Sequence, residues 1–353
     1  MGIQTERRVH GIYRYPIKGL SPEPLGGVDL EAGQPFPFDR VFALVRPGMP
    51  IDPAAPRWMK KGAFLMLMLD ESLARVHTRL DVDTLELTLH SLAQGAHAAD
   101  GECLLRADLR SSAGRAAVES FFRRQVPQLD APPRLVHAPD GHFMDKPDSV
   151  LSCINLATLR SLEAEWRESL HPLRFRANFY IDGVEPWAEL DWVGRDIQLG
   201  SVCFRVDRRN GRCGATNVNP ITGERDRDIP GALRRSFGHK DLGVYLVALT
   251  SGRVAVGDEV RVCPREAPTT PLPPALEHPS LQPPARRVPR PPEGDGFRFI
   301  CRGCYYVYVE GAAEPRGGCL PAFDTLGGDW RCPDCGTTAR DFIPYRGERP
   351  GAE

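Results

Sequence analysis

Along most of this chain the apolar positions come in short runs bounded by turn-forming residues, the pattern of half-buried or buried strands. "RVFALV" (Arg40–Val45), "LELTLH" (Leu85–His90) and "SVCFRVD" (Ser201–Asp207) are such segments, and "VAVGDEVRV" (Val254–Val262) reads as a closing hairpin. Two segments carry the helical period instead. "SSAGRAAVESFFRRQ" (Ser111–Gln125) opens on serines that can cap free N–H groups and sets a Phe pair on one face. In "INLATLRSLEAEWRESL" (Ile154–Leu170), Leu156, Leu159, Leu162 and Trp166 recur at helical spacing, and His171-Pro172 stops the run. The Met- and Leu-rich run Phe64–Leu69 reads as core. Many short strands with few helices predict a mostly β, α+β chain of barrel-rich architecture.

The pattern breaks once. From Pro264 to Asp295 the chain is rich in proline and poor in aromatics, the composition of a semi-rigid linker. It sets a small module, residues 296–347, apart from a large N-terminal part.

Composition and charge narrow the function classes. The 353 residues are 41% hydrophobic and 26% charged, with a net charge of −1, so no global field favours nucleic acid or a membrane surface. No apolar run is long enough to span a bilayer, and "MGIQTERRVHGIYRYP" lacks the apolar core of a secretory leader, which predicts a cytoplasmic protein. In that compartment the ten cysteines are expected as ligands, catalysts or buried thiols rather than disulfides. Cys103, Cys153, Cys203 and Cys263 read as buried thiols.

The strongest chemical signal lies in the small module. Cys301-x-x-Cys304 and Cys332-x-x-Cys335 are matched pairs of the kind that close a tetrahedral four-thiolate site, for iron or zinc. So short a segment buries little core, and a metal there would supply much of its folding energy. Cys319, between the pairs, has no matching partner and reads as a free thiol. "FRFICRGCYYVY" and "FDTLGGDWRCPDCG", with Trp330 and Phe342 as core aromatics, resemble rubredoxin over the whole module. The resemblance implies iron, rather than zinc, on Cys301, Cys304, Cys332 and Cys335. Tyr305 departs from the glycine usual in that family.

Cys213 is a lone thiol in a different setting, "RRNGRCGATNVNPITGERD", a turn-rich basic stretch in which Arg208, Arg209 and Arg212 would favour a thiolate. "RCGATNVNPITGERD" resembles the molybdenum-ligand segment of the MOSC family, the molybdenum cofactor sulfurase C-terminal domain. "YRYPIKGL", "FDRVFALV", "LSCINLATLRSLE", "LRFRANFYIDG" and "LGVYLVALTSGRVAVGDEV" resemble further segments of that family in order. The resemblance implies a MOSC N-terminal β-barrel domain over 1–100 and a MOSC β-barrel domain over 101–263. It implies the molybdenum cofactor (Mo-molybdopterin), with Cys213 as catalytic metal ligand. Lys18, Arg40, Asn155, Arg176, Asn178, Arg212, Thr216 and Tyr245 would be further cofactor contacts, since a pterin phosphate needs cations and amide donors. Gly19 stands where relatives often have Ser, and Asn219 where they usually have Asp.

The branch most resembled is that of the amidoxime-reducing component. It implies an oxidoreductase that reduces small N-hydroxylated substrates, with electrons from the fused rubredoxin-like site and an NAD(P)H-dependent rubredoxin or ferredoxin reductase upstream. Nucleic acid and membrane are not expected as partners. The alternatives are a MOSC sulfur-transfer protein, with Cys213 carrying a persulfide, or a molybdenum-cofactor carrier with a zinc-stabilised tail.

Overall fold

The computed structural model describes residues 6–92, 101–263, 298–301, 306–311, 319–332 and 338–344. The Pro-rich linker, Cys304, Tyr305 and Cys335 lie outside the described residues. The chain runs through β1 (Arg8–Arg14), β2 (Glu23–Leu25), β3 (Gly27–Leu30), β4 (Phe42–Val45), β5 (Val76–Leu80), β6 (Glu86–Ser91) and β7 (Cys103–Asp108) into helix α1 (Ser112–Gln125). Then follow β8 (Arg134–His137), β9 (Leu151–Asn155), α2 (Leu156–Trp166), β10 (Phe179–Asp182), β11 (Asp196–Leu199), β12 (Val202–Gly211), α3 (Ile229–Phe237), β13 (Asp241–Ala248), β14 (Gly252–Ala255) and β15 (Val260–Val262). The small module contributes β16 (Arg298–Cys301), β17 (Val307–Val309) and β18 (Phe342–Pro344), paired in the order β17-β16-β18.

An eight-stranded sheet, ordered β15-β11-β12-β13-β9-β10-β1-β2, is the frame of the larger core. Its parallel pair, β9 and β10, is joined through α2, the crossover that parallel neighbours require. One face packs an apolar layer to which β12 contributes Val202, Phe204 and Val206 at alternate positions. The other face is covered by α2 and α3, with Leu159, Leu162 and Leu233 against Ile154, Tyr180 and Leu242. β9 is therefore buried at every position. Each such leucine contributes about 1.5–3 kcal/mol relative to exposure. Asn155 starts α2 by accepting from the Ala157 N–H at 3.0 Å.

A second core lies beneath α1. The three-stranded sheet β5-β6-β7 and the β4–β8 pair bury Leu80, Leu87, Leu89 and Leu135 against Val118, Phe121 and Phe122 of the helix. Ser111 caps α1 by accepting from the Gly114 N–H at 2.9 Å. Ile17 and Leu20, just after β1, also enter this core, although β1 itself belongs to the large sheet. The two cores thus meet along residues 14–20.

The mostly β, α+β class read from the sequence is the class observed. A closed barrel is not shown among the described residues, since the large sheet has two ends. Three local expectations are corrected. The helix read over Ile154–Leu170 is shorter, because Ile154 and Asn155 finish β9 and Arg167 turns left-handed at φ 54°. The strand read from Arg40 begins at Phe42, because Arg40 is itself left-handed at φ 57°. Val254–Val262 is not a hairpin with itself: β14 pairs with β3 and β15 with β11. α3 was not read from the sequence, though Asp228 caps it and Gly238 ends it at φ 73°.

His142 lies between β8 and β9, and its Nδ1 accepts from the Met144 N–H at 3.3 Å. Burial pushes this imidazole down from 6.5 to about 4, with Asp39 and Asp148 opposing the shift and Arg40 and Lys18 adding to it. The folded state therefore resists protonation that the unfolded chain accepts. Stability is full above about pH 6.5 and falls by about 3 kcal/mol as the pH drops through about 4. Chemical denaturation at stepped pH measures this, and His142→Gln should flatten that part of the profile.

Candidate active site

The ladder between β12 and β13 breaks register twice, between Val206 and Arg208 and again between Arg209 and Gly211. Such irregularities bend a strand and re-aim its side chains. They bring the chain out of β12 at Gly211, where Arg212 N–H donates to the Lys240 carbonyl at 2.8 Å. Cys213 then caps the short turn Gly214–Asn217. Its carbonyl accepts from the Thr216 N–H at 3.1 Å and the Thr216 hydroxyl at 2.9 Å. The Cys213 thiol is half-buried and lines a cleft of about 140 Å³.

The facing wall comes from the segment after β1. Lys18 is 6% exposed and ion-pairs with Asp145. Gly19 sits at φ +85°, where a Cβ would lie 2.9 Å from the Leu65 carbonyl oxygen. A side chain such as Ser is strained at this position for both reasons. Arg40 and Arg176 both adopt the left-handed backbone, at φ 57° and 52°, and both guanidinium groups stand 4.4 Å from the centre of the buried Tyr15 ring. Strained backbone held by its surroundings clusters at functional sites.

The cleft is strongly cationic. Lys18, Arg40, Lys61, Arg174, Arg176 and Arg212 line it, with Asp145 as the one acidic lining residue among the described residues. Burial pushes Arg176 down to about 10 and lowers Arg212 and Lys18 from their ordinary values. Partial desolvation opposes ionisation of the half-exposed Asp145 side chain, but the charges of Lys18 and Lys61 override it and hold the carboxyl low. Burial also raises the Tyr245 hydroxyl, which keeps its proton at neutral pH. Backbone carbonyls orient the guanidinium groups. Arg212 donates to Phe175 O at 2.8 Å and to Leu242 O at 2.8 Å, and Arg176 donates to Leu20 O at 2.7 Å. Arg174 donates to Asn217 O at 3.3 Å and to Asp226 at 2.6 Å, while its Nε is a buried donor with no partner among the described residues.

This donor set fits a phosphorylated, sulfur-bearing metal cofactor. A soft thiolate suits a metal already held by sulfur, and fixed guanidinium groups suit phosphate. Of the residues expected to contact it, Lys18, Arg40, Arg176, Arg212, Cys213, Thr216 and Tyr245 are brought together on the cleft. Asn155 and Asn178 are not among its lining residues. The Asn155 amide donates to Glu185 O and Glu189, and Asn178 bonds Ser152 and the Tyr13 carbonyl. Both are buried polar groups that tie strands together. Asn219 is also outside the lining. It donates to Asp226 at 2.9 Å, a contact that a second ionised carboxylate would not make.

Sequence reasoning missed Arg174, Ser152, Asn210, Lys61 and the pair Met66 and Met68. The buried Arg174 carried a signal, two positions before Arg176 in an otherwise apolar run. The methionines read as core, and they are buried, yet they also form part of the cleft wall. Among the other thiols, Cys153 is buried as expected, with burial raising it far above the ordinary thiol range. Cys203 and Cys263 are only half-buried and Cys103 is exposed, because each lies on the outer side of its strand or at a strand end.

In the small module Cys301 and Cys332 are buried together with Tyr308 and Phe342. Trp330 and Phe342 meet at 5.3 Å, Tyr308 and Trp330 at 5.6 Å, and Phe299 stacks on Phe323 at 4.1 Å. Cys319 is exposed. This cluster also contains Met66 and Met68, and Cys213 and Ala215 pack against it.

A family model of the MOSC domain matches residues 140–261, and one of rubredoxin matches residues 298–342. The molybdenum cofactor sulfurase of Drosophila mojavensis is 36% identical over 101 residues, 28% of this chain and 12% of the sulfurase. The probable rubredoxin of Methanothermobacter thermautotrophicus is 41% identical over 49 residues, 13% of this chain and 78% of that protein. The crystal structure of the YUAD protein from Bacillus subtilis shares 12% identity, with 73% of this chain and 96% of that chain covered at a TM-score of 0.33. The chain spans 12–15% of the length of these sulfurases.

These matches support a molybdenum-cofactor-related protein with a rubredoxin-type iron site. The chain carries a MOSC domain at 140–261 and a C-terminal rubredoxin domain at 298–342. Among the described residues no helix is long and apolar enough to cross a membrane.

Because Arg176 is a half-buried cation whose charged form is disfavoured by desolvation, it adds little to stability and contributes to anion binding. Arg176→Gln should lower the molybdenum content of the purified protein about tenfold or more without lowering the melting temperature of the metal-free protein. Elemental analysis and calorimetry read the two effects, and a destabilised protein with full molybdenum content would contradict the assignment.

Proposed function

We propose that the chain is a molybdenum-cofactor-dependent oxidoreductase that reduces small N-hydroxylated compounds with electrons delivered through its own rubredoxin domain. The observation that carries this reading is the packing of Cys213, in a cation-lined cleft, against the cluster that holds Cys301 and Cys332. A one-electron carrier beside a cofactor cleft has little use in a pure binding protein. When bound, the cofactor supplies a metal that takes oxygen from an N–O bond and changes by two electrons.

The chain's own residues do the rest. Cys213 supplies a soft thiolate ligand. Lys18, Arg40, Arg174, Arg176 and Arg212 hold and neutralise an anionic cofactor. Tyr245 keeps a protonated hydroxyl on the cleft wall, where N–O cleavage consumes protons. The upstream partner is an NAD(P)H-dependent rubredoxin or ferredoxin reductase, and the setting is the cytoplasm.

A second reading is sulfur transfer, with Cys213 carrying a persulfide. The relatives named as molybdenum cofactor sulfurases favour it. It leaves the rubredoxin domain without a role, and it needs no bound molybdenum.

The variants Cys213→Ala and a chain ending at Asp295 separate these readings. Cys213→Ala should abolish reduction of N-hydroxylated substrates while the fold is retained. The shortened chain should turn over with a small artificial reductant and not with the reductase and NAD(P)H. Unchanged turnover in Cys213→Ala removes the ligand assignment, and turnover of the shortened chain with the reductase removes the relay.

A further inference from the structure

Met66 and Met68 belong to two surfaces at once. Both line the cleft beside Cys213, and both form one buried cluster with Cys301, Tyr308, Cys332 and Phe342 of the rubredoxin domain. They are 5% and 4% exposed, in a loop of the second core, far in sequence from either cysteine. The loop is firmly built. Asp70 accepts from the Met66 N–H at 3.0 Å and from the Gln128 amide at 3.2 Å, and it ion-pairs with Arg46.

Arg225 then laces this loop to the cysteine turn. One end of its guanidinium donates to Gly214 O at 3.0 Å, and the other donates to Leu67 O at 3.2 Å and Met68 O at 3.0 Å. The methionine loop and the Cys213 turn are therefore one surface. Thioether side chains are apolar, flexible and polarisable, and they fill irregular gaps against a partner that must also leave.

We propose that Met66 and Met68 are a docking platform that seats the chain's own rubredoxin domain on the cleft wall carrying Cys213. The purpose of the seat rests on the reductase reading, whereas the seat itself rests on packing alone. Docking within one chain keeps the effective concentration of the carrier independent of protein concentration. With iron held by its cysteines, the domain would carry one electron per docking and would be recharged by the reductase. Two dockings with two protons convert an N-hydroxyl group to N–H and water.

The test is amide hydrogen exchange on the full-length protein. In the double variant Met66→Gln, Met68→Gln, exchange in residues 66–69 and 306–311 should be about tenfold faster or more, with β12 and β13 unchanged as the fold control. Met66→Leu, Met68→Leu should keep the protection. Unchanged protection at 306–311 in the Gln variant would overturn the seat. Reoxidation of the pre-reduced iron by an N-hydroxylated compound gives the second readout. It should be first order and independent of protein concentration, and about tenfold slower in the Gln variant. A rate that rises with protein concentration would overturn docking within one chain. If protection behaves as expected but no such compound reoxidises the iron, the seat stands and the reductase reading fails.

Discussion

Holding several cations out of water around one thiol is the condition to which the rest of this structure answers. Burial of a charge is costly unless other groups take over the work of water. Here that work falls to backbone carbonyls. Leu20, Phe175, Leu242 and Asn217 accept from the buried and half-buried guanidinium groups, and each belongs to a different stretch of chain. The cleft therefore exists only where the sheet core and the α1 core meet. Carbonyls satisfy hydrogen bonds without cancelling positive charge, so Arg176 and Arg212 remain pushed toward their neutral forms, and burial lowers Lys18 in spite of its ion pair with Asp145. An anion sharing the site would relieve this, which is why the cleft fits a phosphorylated cofactor better than a neutral ligand.

The thiol is placed by a separate device. β12 alternates cleanly through Val202, Phe204 and Val206, then loses register twice before Gly211. A regular strand would carry residue 213 on along the sheet. The irregular one ends beside Lys18 and Arg176, with the Cys213 carbonyl fixed by Thr216. Arg225 binds this turn to the methionine loop, so charge, thiol and the contact with the rubredoxin domain share one rigid wall.

Much of this was legible in the sequence, and the exceptions have physical causes. Short strands and two helices followed from apolar period, and α1 was read within one residue because Ser111 caps it. α2 was read too long because periodicity does not register that Ile154 belongs to a strand buried on both faces. Cys213 and the cations around it stood out by their motif, since the chemistry needs those residue types. Asn155 and Asn178 are expected from other segments of the same family resemblance, yet their amides serve the backbone of neighbouring segments rather than the cleft. Met66 and Met68 were legible as core only. Nothing in a run of apolar residues tells that two of them face a domain encoded more than two hundred residues later.

The most direct measurement is the metal content of the full chain, purified from cells that make the molybdenum cofactor. A cofactor-dependent reductase fed by its own rubredoxin domain should hold about one molybdenum and about one iron per chain. Zinc in the four-cysteine site together with an absence of molybdenum would contradict it.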